Sequence, residues 1–129
     1  MGTYDPYAHA DQMGLKIVFR PLDRRVGFWF EEYRTIVLRQ NMSVRRERSV
    51  LAHEIVHAEH GDMGCDSRQE VRADRVAAGR LIDPFRLADV MATSPDAGRW
   101  AIELGVTPDI LRAYFAFHHE PVAELRPAV

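Results

Sequence analysis

Hydrophobic and polar positions alternate with a period of two early in this chain and lengthen to a helical period afterwards. In residues 15–22, Leu15, Ile17 and Phe19 alternate with Lys16, Val18 and Arg20, which predicts a strand. Gly27-Phe28-Trp29-Phe30 and Thr35-Ile36-Val37-Leu38 predict two more, separated by the polar Glu31-Glu32-Tyr33. The connections are too short for a parallel crossover, so the three strands are read as an antiparallel sheet, with Pro21 marking an edge. So small a sheet needs a helix on its apolar face. Val50, Leu51, Ile55 and Val56 supply that face, in a helix over about residues 43–59 that Ser43 caps and Gly61 ends. Ser67-x-x-Glu70 has capping-box spacing and opens a helix to about residue 82. Asp83-Pro84, Ser94-Pro95 and Thr107-Pro108 open helices to about residues 93, 104 and 119, and Asp5-Pro6 opens a short one ended by Gly14. The pattern predicts an α+β fold: a three-stranded sheet packed on one central helix, with a mostly helical C-terminal half. The 129 residues are read as a single domain with a frayed tail from about residue 120.

Composition narrows the partners. A formal charge of −2 gives no bulk attraction to nucleic acid or anionic membrane, so direct nucleic-acid binding is disfavoured. The basic cluster Arg39, Arg45, Arg46 and Arg48 reads as a solvated helix entrance. The single cysteine, Cys65, excludes an intrachain disulfide and is read as a free thiol in a reducing compartment. The opening residues are polar and broken by Pro6, unlike a signal peptide, and no apolar run approaches the roughly 20 residues that span a bilayer. The expectation is a cytoplasmic protein.

The candidate chemistry lies in the central helix, where His53-Glu54-Ile55-Val56-His57 puts two imidazoles four residues apart on one face. His53 and His57 can share a metal ion, with Glu54 beside them to hold and deprotonate a water, the arrangement of a zinc-dependent peptidase. The bland reading is a pair of helix-surface histidines. Two histidines are too few to hold the ion, and His60, Asp62, Cys65, Asp66, Glu70 and Asp74 are the candidate third ligands. Position 60 is not Gly and position 63 is not His, which excludes a metzincin. Glu70-x-x-x-Asp74 on a separate helix resembles the pattern of the thermolysin-like gluzincins. That resemblance implies Glu70 as the third ligand and Asp74 as the carboxylate that orients a ligand histidine, read as His53. Against it, Glu70 could complete the capping box with Ser67, and Asp74 could pair with Arg72 or Arg75.

Beyond these motifs the chain resembles the ImmA/IrrE family of metallopeptidases, small intracellular proteins of bacteria, their phages and integrative elements. Ile36-Val37-Leu38, Arg45-Arg46-Glu47-Arg48, Leu51-Ala52-His53-Glu54-Ile55-Val56-His57 with His60 beyond, and the run from Glu70 through Ala73-Asp74 to Leu81-Ile82 carry the likeness. The sequence departs from the family's usual pattern at Val76, Gly79 and Asp83-Pro84. The resemblance implies one Zn2+ per chain and cleavage of a specific intracellular protein, a helix-turn-helix repressor. The alternative is a protein-binding regulator on the same scaffold that grips its partner through Phe28, Trp29 and Phe30 without hydrolysis. Thermolysin-like sites also use a separate His or Tyr to stabilise the oxyanion, for which His60, Tyr33, Tyr114, His118 and His119 are candidates.

Overall fold

The computed structural model describes residues 4–64 and 66–118. Cys65, His119 and the tail from about residue 120 lie outside the described residues. In chain order the elements are α1 (Pro6–Gln12), β1 (Lys16–Arg20), β2 (Gly27–Phe30), a 3-10 turn (Glu31–Tyr33), β3 (Thr35–Arg39), α2 (Val44–His60), α3 (Ser67–Leu81), α4 (Pro84–Thr93), α5 (Ala97–Leu104) and α6 (Pro108–Phe117). Asp5, Ser43, Asp83 and Thr107 each accept a backbone N–H at a helix start, as their residue types predict. Two starts differ from the sequence expectation. Asp66, not Ser67, caps α3 by accepting from Arg68 N and Gln69 N. Asp96, not Ser94, caps α5, and the Ser94 hydroxyl accepts from Asp96 N instead.

A small three-stranded sheet packs against α2, and α3 to α6 form the helical half. The antiparallel reading of the sheet needs correction. The strand order is β1-β3-β2, with β2 antiparallel to β3 and β1 parallel to it. The expectation assumed that strands adjacent in sequence are neighbours in space. Instead β2 reverses direction without pairing with β1, and the Glu31–Tyr33 turn feeds β3 into the place between them. Arg34 completes that turn with φ 47. The intervening strand thus provides the crossover that a short loop could not.

Ile17, Ile36 and Trp29 lie in register across the three strands, and join Leu51, Ile55 and Ala58 of α2 in one core. On its other side α2 contributes Ala52 to a second core with Ala77, Ala78 and Leu81 of α3, Leu104 of α5, and Leu111 and Tyr114 of α6. Helix α2 is therefore covered from two directions. Gly79 does not interrupt α3, and it leaves room for a neighbour: a Cβ there would lie 2.8 Å from Cε1 of His118. Among the described residues no helix is long and apolar enough to cross a membrane.

Gly27 marks the closest approach of β2 to α2. A Cβ at this position would meet Val50 Cγ1 at 2.9 Å and the Val37 carbonyl oxygen at 3.0 Å. Gly27→Ala is therefore expected to destabilise the fold by about 1–3 kcal/mol, the usual cost of overpacking. Urea denaturation checks this, and an unchanged midpoint would mean that β2 can recede freely.

Candidate metal centre

The centre begins with the spacing in α2. His53 and His57 are one helical turn apart, and their Nε2 atoms approach to 3.1 Å. Glu70 reaches them from the first turns of α3, with Oε2 2.6 Å from His57 Nε2 and Oε1 3.2 Å from His53 Nε2. Because Asp66 performs the capping, the Glu70 carboxylate is not tied up in the capping box that its spacing from Ser67 suggests. Among the described residues, His53, His57 and Glu70 form the cluster whose donor atoms could hold one metal ion, all lying within 4.8 Å of one another. His60, Asp62, Asp66 and Asp74 are not part of it.

Each imidazole is oriented by a carboxylate on its far side. His53 Nδ1–H donates to Asp74 Oδ1 at 2.7 Å, the contact that the Glu-x-x-x-Asp pattern implies. His57 Nδ1–H donates to Asp62 Oδ2 at 2.9 Å, and Arg72 Nη2 in turn donates to both Asp62 oxygens at 2.7 and 2.8 Å. With both Nδ1 atoms protonated, the Nε2 lone pairs point at the common centre. Two donors on a tetrahedral ion with bonds near 2.0–2.1 Å stand roughly 3.3 Å apart. The observed triangle is close to that size, so these residues fit a divalent ion bound by two nitrogens and one carboxylate.

Electrostatics follow from burial and from the crowding of acids. Burial opposes a charge on His53, but the Asp74 hydrogen bond and the carboxylates of Glu54, Asp74 and Glu70 outweigh it and lift the pKa to about 9. Burial pushes Glu54 up, against the pull of His53, His57 and Arg25. Asp62 loses water as well, yet its bonds to His57 and Arg72 hold it below the ordinary carboxylate value. His53, Glu54, His57 and Glu70 line one cleft of about 490 Å³, which Arg24, Arg25 and the start of β2 also line.

The sequence profile of the IrrE N-terminal-like domain, a peptidase family, matches residues 10–114. The chain belongs to this family. It is also 30% identical over 111 residues to the radiation response metalloprotease IrrE of Deinococcus deserti, covering 75% of this chain and 40% of that protein. The chain thus corresponds to less than half of this relative's length.

Within this IrrE N-terminal-like domain, the described candidates for oxyanion stabilisation lie away from the cleft. His60 is exposed at the end of α2, and Tyr33 is 65% exposed and packs edge-on against Phe30. Tyr114 is buried in the helical core, where it stacks on His118, and His118 Nε2 lies 2.6 Å from the Arg75 carbonyl oxygen. None of these four lines the cleft. They were chosen by side-chain type, and the packing of α6 and of the sheet turns them elsewhere. Two contributors were not anticipated in their observed roles. The sequence presents Asp62 only as a candidate ligand, although Gly61-Asp62 carries the signal. Gly61 at φ 61 donates to Ala58 O and Asp62 N donates to His57 O, the pair of bonds that folds the chain back under the helix end. Arg72 was weighed only as a partner for Asp74.

Asp62→Ala removes the brace behind His57 and is expected to weaken metal binding about 10–100-fold, measured by competition with a chromophoric chelator. The same titration tests the His53 proton. Since the ion takes neutral imidazole, binding below pH about 9 must expel that proton, so affinity should fall as pH drops, by about tenfold per unit. A flat profile between pH 6 and 9 would contradict it.

Proposed function

We propose that the chain is a zinc-dependent endopeptidase, with His53, His57 and Glu70 as metal ligands, Asp74 as the residue that positions His53, and Glu54 as general base. The observation that carries this reading is the convergence of two imidazole nitrogens and one carboxylate from separate helices beside a buried second carboxylate. Two histidines and a glutamate are a donor set of catalytic zinc sites, which favours Zn2+ as the ion. Bound there, the ion would polarise a substrate carbonyl and make water a better nucleophile. Glu54, only 6% exposed, accepts a proton from the attacking water and returns it to the departing amine. Asp74 and Asp62 keep the two imidazoles in the tautomer that leaves Nε2 free.

The substrate is a specific cytoplasmic protein, most economically a helix-turn-helix repressor. Support for this comes from the family resemblance, and the Deinococcus relative is named as a radiation response metalloprotease. An origin on a phage or other mobile element belongs to the same reading. Incubating the zinc-loaded chain with the repressor encoded beside its gene tests the proposal. Wild type should produce one discrete pair of fragments, and Glu54→Gln should slow their appearance by about 10²–10⁴-fold while still binding zinc. Stable binding of the repressor without fragments from either protein would instead favour a non-hydrolytic regulator.

A further inference from the structure

Peptide hydrolysis at this centre places negative charge on an oxygen. As the water oxygen bonds to the carbonyl carbon, the C=O π pair moves onto the carbonyl oxygen and Glu54 takes the water's proton. When that pair returns, the C–N bond breaks and the amine leaves with the proton from Glu54. Around the donor triangle the cleft is lined by Glu54, Asp62, Glu70 and Asp74 and by the two imidazoles whose Nε2 atoms face the metal, so beyond the ion itself this part offers the new anion no cationic side chain. Among the described candidates, Tyr33, His60, Tyr114 and His118 do not line the cleft. Ser49 Oγ accepts from Thr107 N and Thr107 Oγ1 accepts from Ile110 N, bonds that hold the start of α6 and leave only neutral hydroxyl donors there.

The same cleft is lined by Arg24 and Arg25, on the connection between β1 and β2. This connection is tethered at two points by one residue of β3: Arg39 Nη2 donates to Asp23 O at 2.8 Å, and Arg39 N donates to Val26 O at 2.9 Å. Arg24 and Arg25 lie between the tethers. The Arg25 guanidinium carbon stands 5.6 Å from the centre of the Phe28 ring, and Phe28 also lines the cleft. Burial raises the Glu54 pKa, and the Arg25 charge is among the smaller influences that pull it back down.

We infer that Arg25 is a catalytic residue, donating from its guanidinium to the oxyanion of the tetrahedral intermediate; this rests on the peptidase reading above. Arg25 is exposed, but its backbone is held at both ends beside the cleft, and a cation already at hand needs little reorganisation when the charge appears, which makes such a group effective. Its place in the loop ahead of β2 explains why a search among histidines and tyrosines misses it.

The test uses the zinc-loaded full chain and two probes read by calorimetry. One is a phosphoramidate dipeptide, whose tetrahedral anion imitates the intermediate; the other is acetohydroxamate, a planar zinc ligand. Arg25→Gln should weaken phosphoramidate binding about 100-fold, the scale of losing one oxyanion donor, with acetohydroxamate and zinc affinities unchanged. Arg25→Lys should recover part of the loss. Unchanged phosphoramidate binding in Arg25→Gln, an equal loss of both probes, or an equal loss in Arg24→Gln would each overturn the assignment to Arg25. If zinc-loaded wild type binds neither probe, the peptidase reading falls and the assignment with it. If wild type binds both and Arg25→Gln binds both as well, only the assignment falls.

Discussion

The close apposition of α2 and α3 is the constraint on which the rest depends, because the candidate ligands are divided between them. Ala52 of α2 and Ala73 and Ala77 of α3 are fully buried, and small side chains at such a seam let the helices approach. On α3 the helical stripe that begins with Glu70 and Asp74 continues as Ala77 and Leu81, polar at the centre and apolar in the core. One packing arrangement thus serves both ends. The core fixes the helix separation, and the separation fixes the donor triangle. Metal–ligand bonds near 2 Å leave little tolerance, so the alanines matter to the chemistry although they take no part in it.

Burying Glu54, His57 and Asp62 along this seam is costly unless each has a partner. Asp62 shows how the cost is offset. Arg72 neutralises it, His57 uses its remaining acceptor capacity, and the turn at Gly61 brings it into place. Helix α3 therefore meets the imidazoles of α2 through three side chains: Glu70 directly, Asp74 behind His53, and Arg72 through Asp62 behind His57. Removing one of them would unbalance the others, since each pairing shares charge with its neighbours.

Much of this was legible in the sequence because it depends on local rules. Helix periodicity and the caps at Asp5, Ser43, Asp83 and Thr107 follow from interactions within a few residues, and those elements lie where the pattern predicts them. Spacing also places His53 and His57 on one face, and the Glu-x-x-x-Asp pattern points to Glu70 and Asp74. Contacts that depend on tertiary arrangement were harder to read. The sheet order turns on β3 entering between two earlier strands, which no local residue signals. The capping-box spacing of Ser67 and Glu70 was a plausible competitor, settled by the stronger cap at Asp66. Asp62 was recognisable as a possible ligand but not as a brace, because that role depends on how the chain reverses after Gly61.

The unexpected sheet order has a consequence for the cleft. Because β3 occupies the centre, one side of β2 has no strand partner among the described residues, and Gly27, Phe28 and Trp29 of that strand line the cleft with His53 and Glu54. An antiparallel meander in sequence order would have buried β2 between its neighbours. The central position of β3 also lets Arg39 hold the connection between β1 and β2 at both Asp23 and Val26, keeping the arginines between them on the cleft wall. An extended peptide adding to the free edge of β2 would therefore run between that wall and the metal helix, with its backbone hydrogen bonds setting its height above the donor triangle. The departure from the expected topology is thus what leaves β2 at the edge of the sheet beside the cleft.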